Sequence, residues 1–159
     1  MAFRLKITKD RIKFSVAHFT IFSETQAERL HGHNYYVSLE VRVSDVDPLG
    51  FAASMDDLKT ASYKISQELD EYVLVPTQNP HLKISEIKDQ VEVLWNSKQY
   101  LFPKEDVRLL DISNVTCENL AQWFWQRLVK ELSPTIEHLE ITVRETHGQE
   151  AIYGKEVRV

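Results

Sequence analysis

The sequence predicts an α+β domain in which an antiparallel sheet carries two helices packed on one face. Three observations predict it. Val37, Leu39, Val41 and Val43 alternate with Ser38, Glu40 and Arg42, and Leu139, Ile141 and Val143 alternate with Glu140, Thr142 and Arg144. Strands of period two have one dry and one wet face, which favours antiparallel pairing. Two stretches between those strands repeat their apolar residues at helical spacing instead. With only 4 Gly and 5 Pro in 159 residues, long regular elements with few tight turns are expected.

Each element follows in chain order. Residues 11–19 open on alternating apolar and polar side chains and are rich in strand formers. The strand at 37–43 comes next. Leu58, Ala61, Ile65, Leu69 and Tyr72 then mark a helix from about Met55 onward. A second stripe, Leu120, Phe124 and Leu128 with Trp123 and Leu132, marks another. Thr116 suits its N-cap, Glu118 suits the positive end of its dipole, and Pro134 stops it. Between the helices, residues 91–95 and 99–102 flank Asn96-Ser97-Lys98, as in a small hairpin. Residues 1–159 therefore read as one domain with a hairpin insertion at about 79–113.

Composition excludes several functions. Hydrophobic residues make up 43% and charged residues 27%, a globular balance. A formal net charge of -5 without a basic cluster argues against nucleic-acid binding. No apolar run approaches the ~20 residues of a membrane helix, and the N-terminus lacks the apolar core of a signal peptide. Cys117 is the single cysteine, which rules out an intrachain disulfide and fits a reducing compartment. A cytoplasmic protein is expected.

Histidines carry the chemical signal. His31 and His33 flank Gly32, so on an extended backbone both imidazoles leave the same face. His18 ends a predicted strand that could pair with the strand starting near His33. Three converging imidazoles make a three-ligand site, for zinc first of all, with a position left open for water or substrate. Spacing alone leaves an equal alternative, three unrelated histidines on a loop and a strand. His81 and His138 belong to no such group.

The surrounding residues add a resemblance. Phe14-Ser15-Val16-Ala17-His18, followed by Glu28-Arg29-Leu30-His31-Gly32-His33-Asn34-Tyr35, resembles the zinc motif of the 6-pyruvoyl-tetrahydropterin synthase and 6-carboxytetrahydropterin synthase superfamily. Asp57-Leu58-Lys59, Leu69-Asp70, Thr116-Cys117-Glu118-Asn119-Leu120-Ala121 and Glu145-Thr146 continue it in the same order. The resemblance implies the tunnelling fold (T-fold) and a homo-oligomer, a trimer or hexamer, with active sites between subunits. It also implies zinc on His18, His31 and His33, and a small-molecule pterin held by Glu145 and Thr116. A carboxylate can accept two parallel hydrogen bonds from the 2-amino group and ring N–H of a pterin. The plainer readings are a solvated strand-end carboxylate for Glu145 and a helix cap for Thr116.

Departures from the family's pattern decide the expected reaction. The synthases' catalytic cysteine lies four residues before His31, where this chain has Ala27. Cys117 is expected to pack rather than to replace it. The adjacent Glu28 gives Glu-x-x-His-Gly-His, resembling the branch that forms 6-hydroxymethyl-7,8-dihydropterin for folate synthesis. Glu28 is then the expected catalytic base, its pKa raised by burial; the alternative is an exposed carboxylate beside Arg29. The family's Asp-His pair is Asp70-Glu71 here, so Glu71 beside Asp70, or His147, or neither, relays protons. Ser54 stands where the family often has aspartate. A synthase-like enzyme for another reduced pterin, and a pterin-binding protein without catalysis, are the competing readings.

Overall fold

The computed structural model of the protein describes residues 2–146 and 148–157. Two long strands form its floor. β1 (Phe3–His18) and β2 (His31–Val43) pair antiparallel from Phe3 opposite Val43 to His18 opposite His31. β2 keeps strict parity, burying Tyr35, Val37, Leu39, Val41 and Val43. In β1 the register slips between Thr8 and Lys13. Buried positions change there from odd (Ile7) to even (Ile12, Phe14, Val16, His18). A slip by an odd number of residues changes which parity faces the core, so the alternation is legible only from about residue 11.

β8 (Ile136–Thr146) lies antiparallel to β2, and β9 (Gln149–Glu156) antiparallel to β8. On the other side, β3 (Tyr72–Pro76) runs parallel to β1 and β7 (Val107–Leu110) parallel to β3, giving the order β7-β3-β1-β2-β8-β9. Antiparallel pairing thus describes the four long strands, and two short parallel ones extend the sheet. The sequence hides these two because β3 is an unbroken apolar run and β7 has four residues, neither showing a period.

Both helices cover one face, α1 (Met55–Gln67) against β1 and α2 (Cys117–Leu128) against β8 and β9. Ser54 accepts the Asp57 N–H and so caps α1, the role an aspartate would also fill. α1 stops before its apolar stripe does: Glu71 takes φ 65°, and Tyr72 opens β3 instead of a further helical turn. The Thr116 hydroxyl accepts the Asn119 N–H at 3.4 Å and caps α2. A 3-10 turn at Val129–Glu131 ends that helix before Pro134, and Leu132 packs on the core from beyond it. Phe14, Tyr35, Leu39, Leu120, Phe124 and Leu139 fill the space between helices and sheet, each worth about 1.5–3 kcal/mol of transfer.

A second sheet, β4 (Lys83–Ile87), β5 (Gln90–Trp95) and β6 (Lys98–Pro103), is antiparallel in that order. Asn96 at φ 51° makes the tight turn between β5 and β6. This sheet and its approaches supply the long crossover that parallel neighbours β3 and β7 require. Residues 79–113 thus include a strand of the main sheet. The small sheet closes a core of its own, with Phe19, Ile21, Val91, Val93 and Trp95, against which Ala27 and Leu30 pack. Among the described residues, no helix is long and apolar enough to cross a membrane.

Candidate functional site

Strand register assembles the histidines. His18 lies opposite His31, Val16 opposite His33 and Phe14 opposite Tyr35. Residues paired across a ladder share a face, so His18, His31, His33 and Tyr35 all point to the core side. Ring centroids are 4.9 Å apart for His18–His31, 5.4 Å for His18–His33 and 4.6 Å for His31–His33. Glu145, near the end of β8, completes the group: one ligand atom from each of the four residues lies within 4.8 Å of the others.

Proton placement makes this cluster receptive to a cation. His31 Nδ1 sits 2.6 Å from the Arg29 carbonyl, which can only accept, so in the neutral ring Nε2 keeps its lone pair. That Nε2 faces His33 Nε2 at 2.8 Å, and His33 Nε2 is also 2.8 Å from Glu145 Oε1. Burial, and then the neighbouring His31 and His33, push the His18 imidazole down to about 4, keeping it neutral at neutral pH. Tyr35 Oη lies 3.1 Å from His18 Nε2, and the main chain of Val115 also hydrogen-bonds the His18 ring. Three imidazoles converging beside a carboxylate fit a bound metal ion.

Glu28 reaches this cluster from an irregular segment. Residues 20–28 fold back on themselves: Glu28 N–H donates to Thr20 O, Ile21 bridges Ala27, and Phe22 N–H donates to Gln26 O. The Glu28 carboxylate accepts the Thr20 N–H at 3.0 Å. Its pKa corrects the sequence-based expectation. Burial does push it up, but hydrogen bonds from Thr20 and the positive potential of His31 and His18 outweigh that and hold it below the usual carboxylate range. Glu28 is therefore ionised at neutral pH, as a proton acceptor must be.

Around Glu145 the structure gathers the start of α2. Cys117 Sγ lies 4.0 Å from Glu145 Oε2. Burial, with Glu145 and Glu118 next, pushes the Cys117 thiol up to about 11, the opposite of an activated nucleophile. Thr116 precedes it as the helix cap, its hydroxyl turned to Asn119. Asp70 and Glu71 are not members of the four-residue cluster. Asp70 Oδ1 accepts the Ser15 N–H and Glu71 N–H donates to the Ser15 carbonyl, each at 2.7 Å, so the pair completes the edge of β1. His147 lies outside the described residues.

Residues 6–156 match the family model for 6-pyruvoyl tetrahydropterin synthase. The chain belongs to that family. Its relatives include a Methanocaldococcus jannaschii protein provisionally named 6-carboxy-5,6,7,8-tetrahydropterin synthase, 29% identical over 93% of each chain. Solved structures of 6-pyruvoyl tetrahydropterin synthase superpose closely. The Plasmodium vivax enzyme is 26% identical, with a TM-score of 0.93 over 98% of this chain and 99% of its own. The Plasmodium falciparum enzyme is 28% identical, with a TM-score of 0.92 over 98% of both. Two further P. vivax structures, in which a glutamate is replaced by alanine or cysteine, are described as catalytic residue mutants. The solved structures carry the T-fold, and this family member shares it.

Sequence reasoning overlooks three groups that the structure places here. Tyr35 continues the odd-numbered parity of His31 and His33, a signal present in the strand pattern. Thr20 and Asn114 leave no such signal, because their contacts to Glu28 and Ile21 join irregular segments.

Proposed function

We propose that this family member is a zinc-dependent lyase that cleaves the side chain of dihydroneopterin, or of its phosphates, to 6-hydroxymethyl-7,8-dihydropterin. The observation that carries this reading is Ala27-Glu28: the synthases' cysteine position is methyl, and the neighbouring carboxylate is held ionised by hydrogen bonds from Thr20, beside the histidines. Its counterpart in support is the P. vivax enzyme, in which a glutamate is described as a catalytic residue.

Zinc on His18, His31 and His33 would supply a Lewis acid that lowers the pKa of the side-chain hydroxyls. Glu145 takes the 2-amino group and ring N–H of the pterin, with Thr116 at the ring edge. Glu28 removes the proton from the C2′ hydroxyl, C2′ becomes an aldehyde carbon, and the C1′–C2′ bond breaks. The released electron pair passes through C6 to N5, and a proton returned to C1′ completes 6-hydroxymethyl-7,8-dihydropterin. The other product is a two-carbon aldehyde, phosphorylated if the substrate was. We place the enzyme in the cytoplasm as a trimer or hexamer, with Asp70 and Glu71 available to a neighbouring subunit's site.

The test is anaerobic incubation of zinc-loaded protein with dihydroneopterin and, separately, its triphosphate, followed by oxidation and fluorescence chromatography. 6-Hydroxymethylpterin is the expected product. A 6-pyruvoyl or 6-carboxy product would replace this reading with that of the synthases. Substrate bound but returned unchanged would replace it with a pterin-binding protein.

A further inference from the structure

The bridge between Ile21 and Ala27 turns the main-chain groups of Ile21 away from its partner. Its flanking bonds, Glu28 N–H to Thr20 O and Phe22 N–H to Gln26 O, make this the pair whose own N–H and C=O point outward. Ile21 is buried, so both groups need partners. One side chain supplies both. Asn114 Oδ1 accepts the Ile21 N–H at 3.2 Å, and Asn114 Nδ2 donates to the Ile21 carbonyl at 2.7 Å. A primary amide presents an acceptor and a donor side by side, as a neighbouring strand would. Asn114 thus stands in for a third strand beside the 20–28 segment.

Asn114 is itself fixed by the first turn of α2. Asn119 Nδ2 donates to the Asn114 carbonyl at 3.0 Å and to Ser113 Oγ at 3.2 Å, while Asn119 N–H donates to Thr116 Oγ. Asn79 Nδ2 holds the Ser113 carbonyl at 2.7 Å. A continuous hydrogen-bonded chain therefore runs from the α2 cap, beside Cys117 and Glu145, through Asn114 and Ile21 to Thr20 and Glu28. Among the three histidines it comes closest to His18, whose ring hydrogen-bonds the main chain of Val115, the residue after Asn114.

From this geometry we infer that Asn114 is a positioning residue: it fixes the Glu28 carboxylate relative to the pterin-holding start of α2. The inference rests on the lyase reading above. It concerns turnover rather than pterin or metal affinity, because both hydrogen bonds of the Asn114 amide go to Ile21 and none to Glu145 or to a histidine. Displacing a catalytic group by about 1 Å can cost up to a hundredfold in rate, so loss of the clamp acts on turnover.

The test compares wild type with Asn114→Leu, which keeps the branching at Cγ and removes both hydrogen bonds, and Asn114→Asp, which keeps the acceptor alone. All are zinc-loaded and assayed with dihydroneopterin. Amide hydrogen exchange across residues 20–28 is measured on the same samples. Asn114→Leu is expected to lower kcat by about tenfold or more with KM and zinc content unchanged. Exchange at Phe22 and Glu28 N–H should become faster, and Asn114→Asp should fall between the two. If Asn114→Leu does not fold, Asn114→Asp carries the same comparison against wild type. Equal kcat in a variant whose 20–28 amides exchange faster would overturn the inference, as would unchanged exchange. A rise in KM at constant kcat would overturn it too. Failure of the lyase reading is separately visible, because wild type would then release no 6-hydroxymethyl product.

Discussion

The floor of the site and its rim are built in different ways. On the floor, His18, His31, His33 and Tyr35 are placed by the register of two long strands, with Phe14, Val37 and Leu39 buried beside them. At the rim, Glu28 stands on a folded-back segment held by Thr20, by Asn114 and by the small sheet, whose Trp95 Nε1 donates to the Ser23 carbonyl at 3.2 Å. Strand periodicity is a local property of sequence; the rim's contacts join residues separated by 72 and 93 positions. The half of the site proposed to hold metal is thus built on the long paired strands of the main sheet. The half proposed to move the proton depends on side chains from three separate segments.

The largest expected effect breaks the floor. His31→Ala or His33→Ala should abolish stoichiometric zinc binding and reduce product formation by well over a hundredfold, since even loss of a ligand's hydrogen-bond partner costs 10–100-fold. Metal analysis beside the turnover assay checks this. Stripping the metal with a chelator should remove activity while leaving a cooperative thermal transition, because the core on this face is mainly apolar and its buried Ser62 and Ser66 are hydrogen-bonded within α1. Unfolding on metal removal would instead make the site structural.

How much was legible follows the same division. The alternation in β2, the helical stripes and the spacing of His31 and His33 are written within a few residues of each other, and each survives in the structure. The antiparallel frame was readable for the same reason. β3, β7 and β9 were not, because β3 is apolar throughout, β7 is short, and the described burial of β9 shows no fully buried position. The direction of the Glu28 pKa was also out of reach. Burial alone predicts a rise, and the Thr20 hydrogen bonds that reverse it come from the fold-back of 20–28.

A smaller effect should come from loosening the rim at its outer support. Trp95→Phe keeps the ring in the small core and loses the bond to Ser23, at a cost of about 1 kcal/mol in chemical denaturation. It should speed exchange in 20–28 without changing zinc content. The smallest effect is expected at Cys117. Cys117→Ala should leave product formation essentially unchanged. The wild-type thiol should resist iodoacetamide at neutral pH and become reactive as pH rises toward about 11. The sign for stability follows from burial and the nearby carboxylates. The unfolded thiol ionises near 9.0 and the folded one near 11, so this contribution is intact below 9.0 and is lost as pH rises through that window.

The central claim is that the histidines hold the metal while Glu28 moves the proton. Its most direct test is the rate of 6-hydroxymethyl-7,8-dihydropterin formation by Glu28→Gln and wild type, brought to the same zinc content. Gln is nearly isosteric and leaves the cluster's ligands in place, so zinc stoichiometry should match wild type. Loss of the base should slow turnover by about 10²–10⁴-fold. Equal rates at equal zinc content would contradict the account and assign the proton transfer to another group.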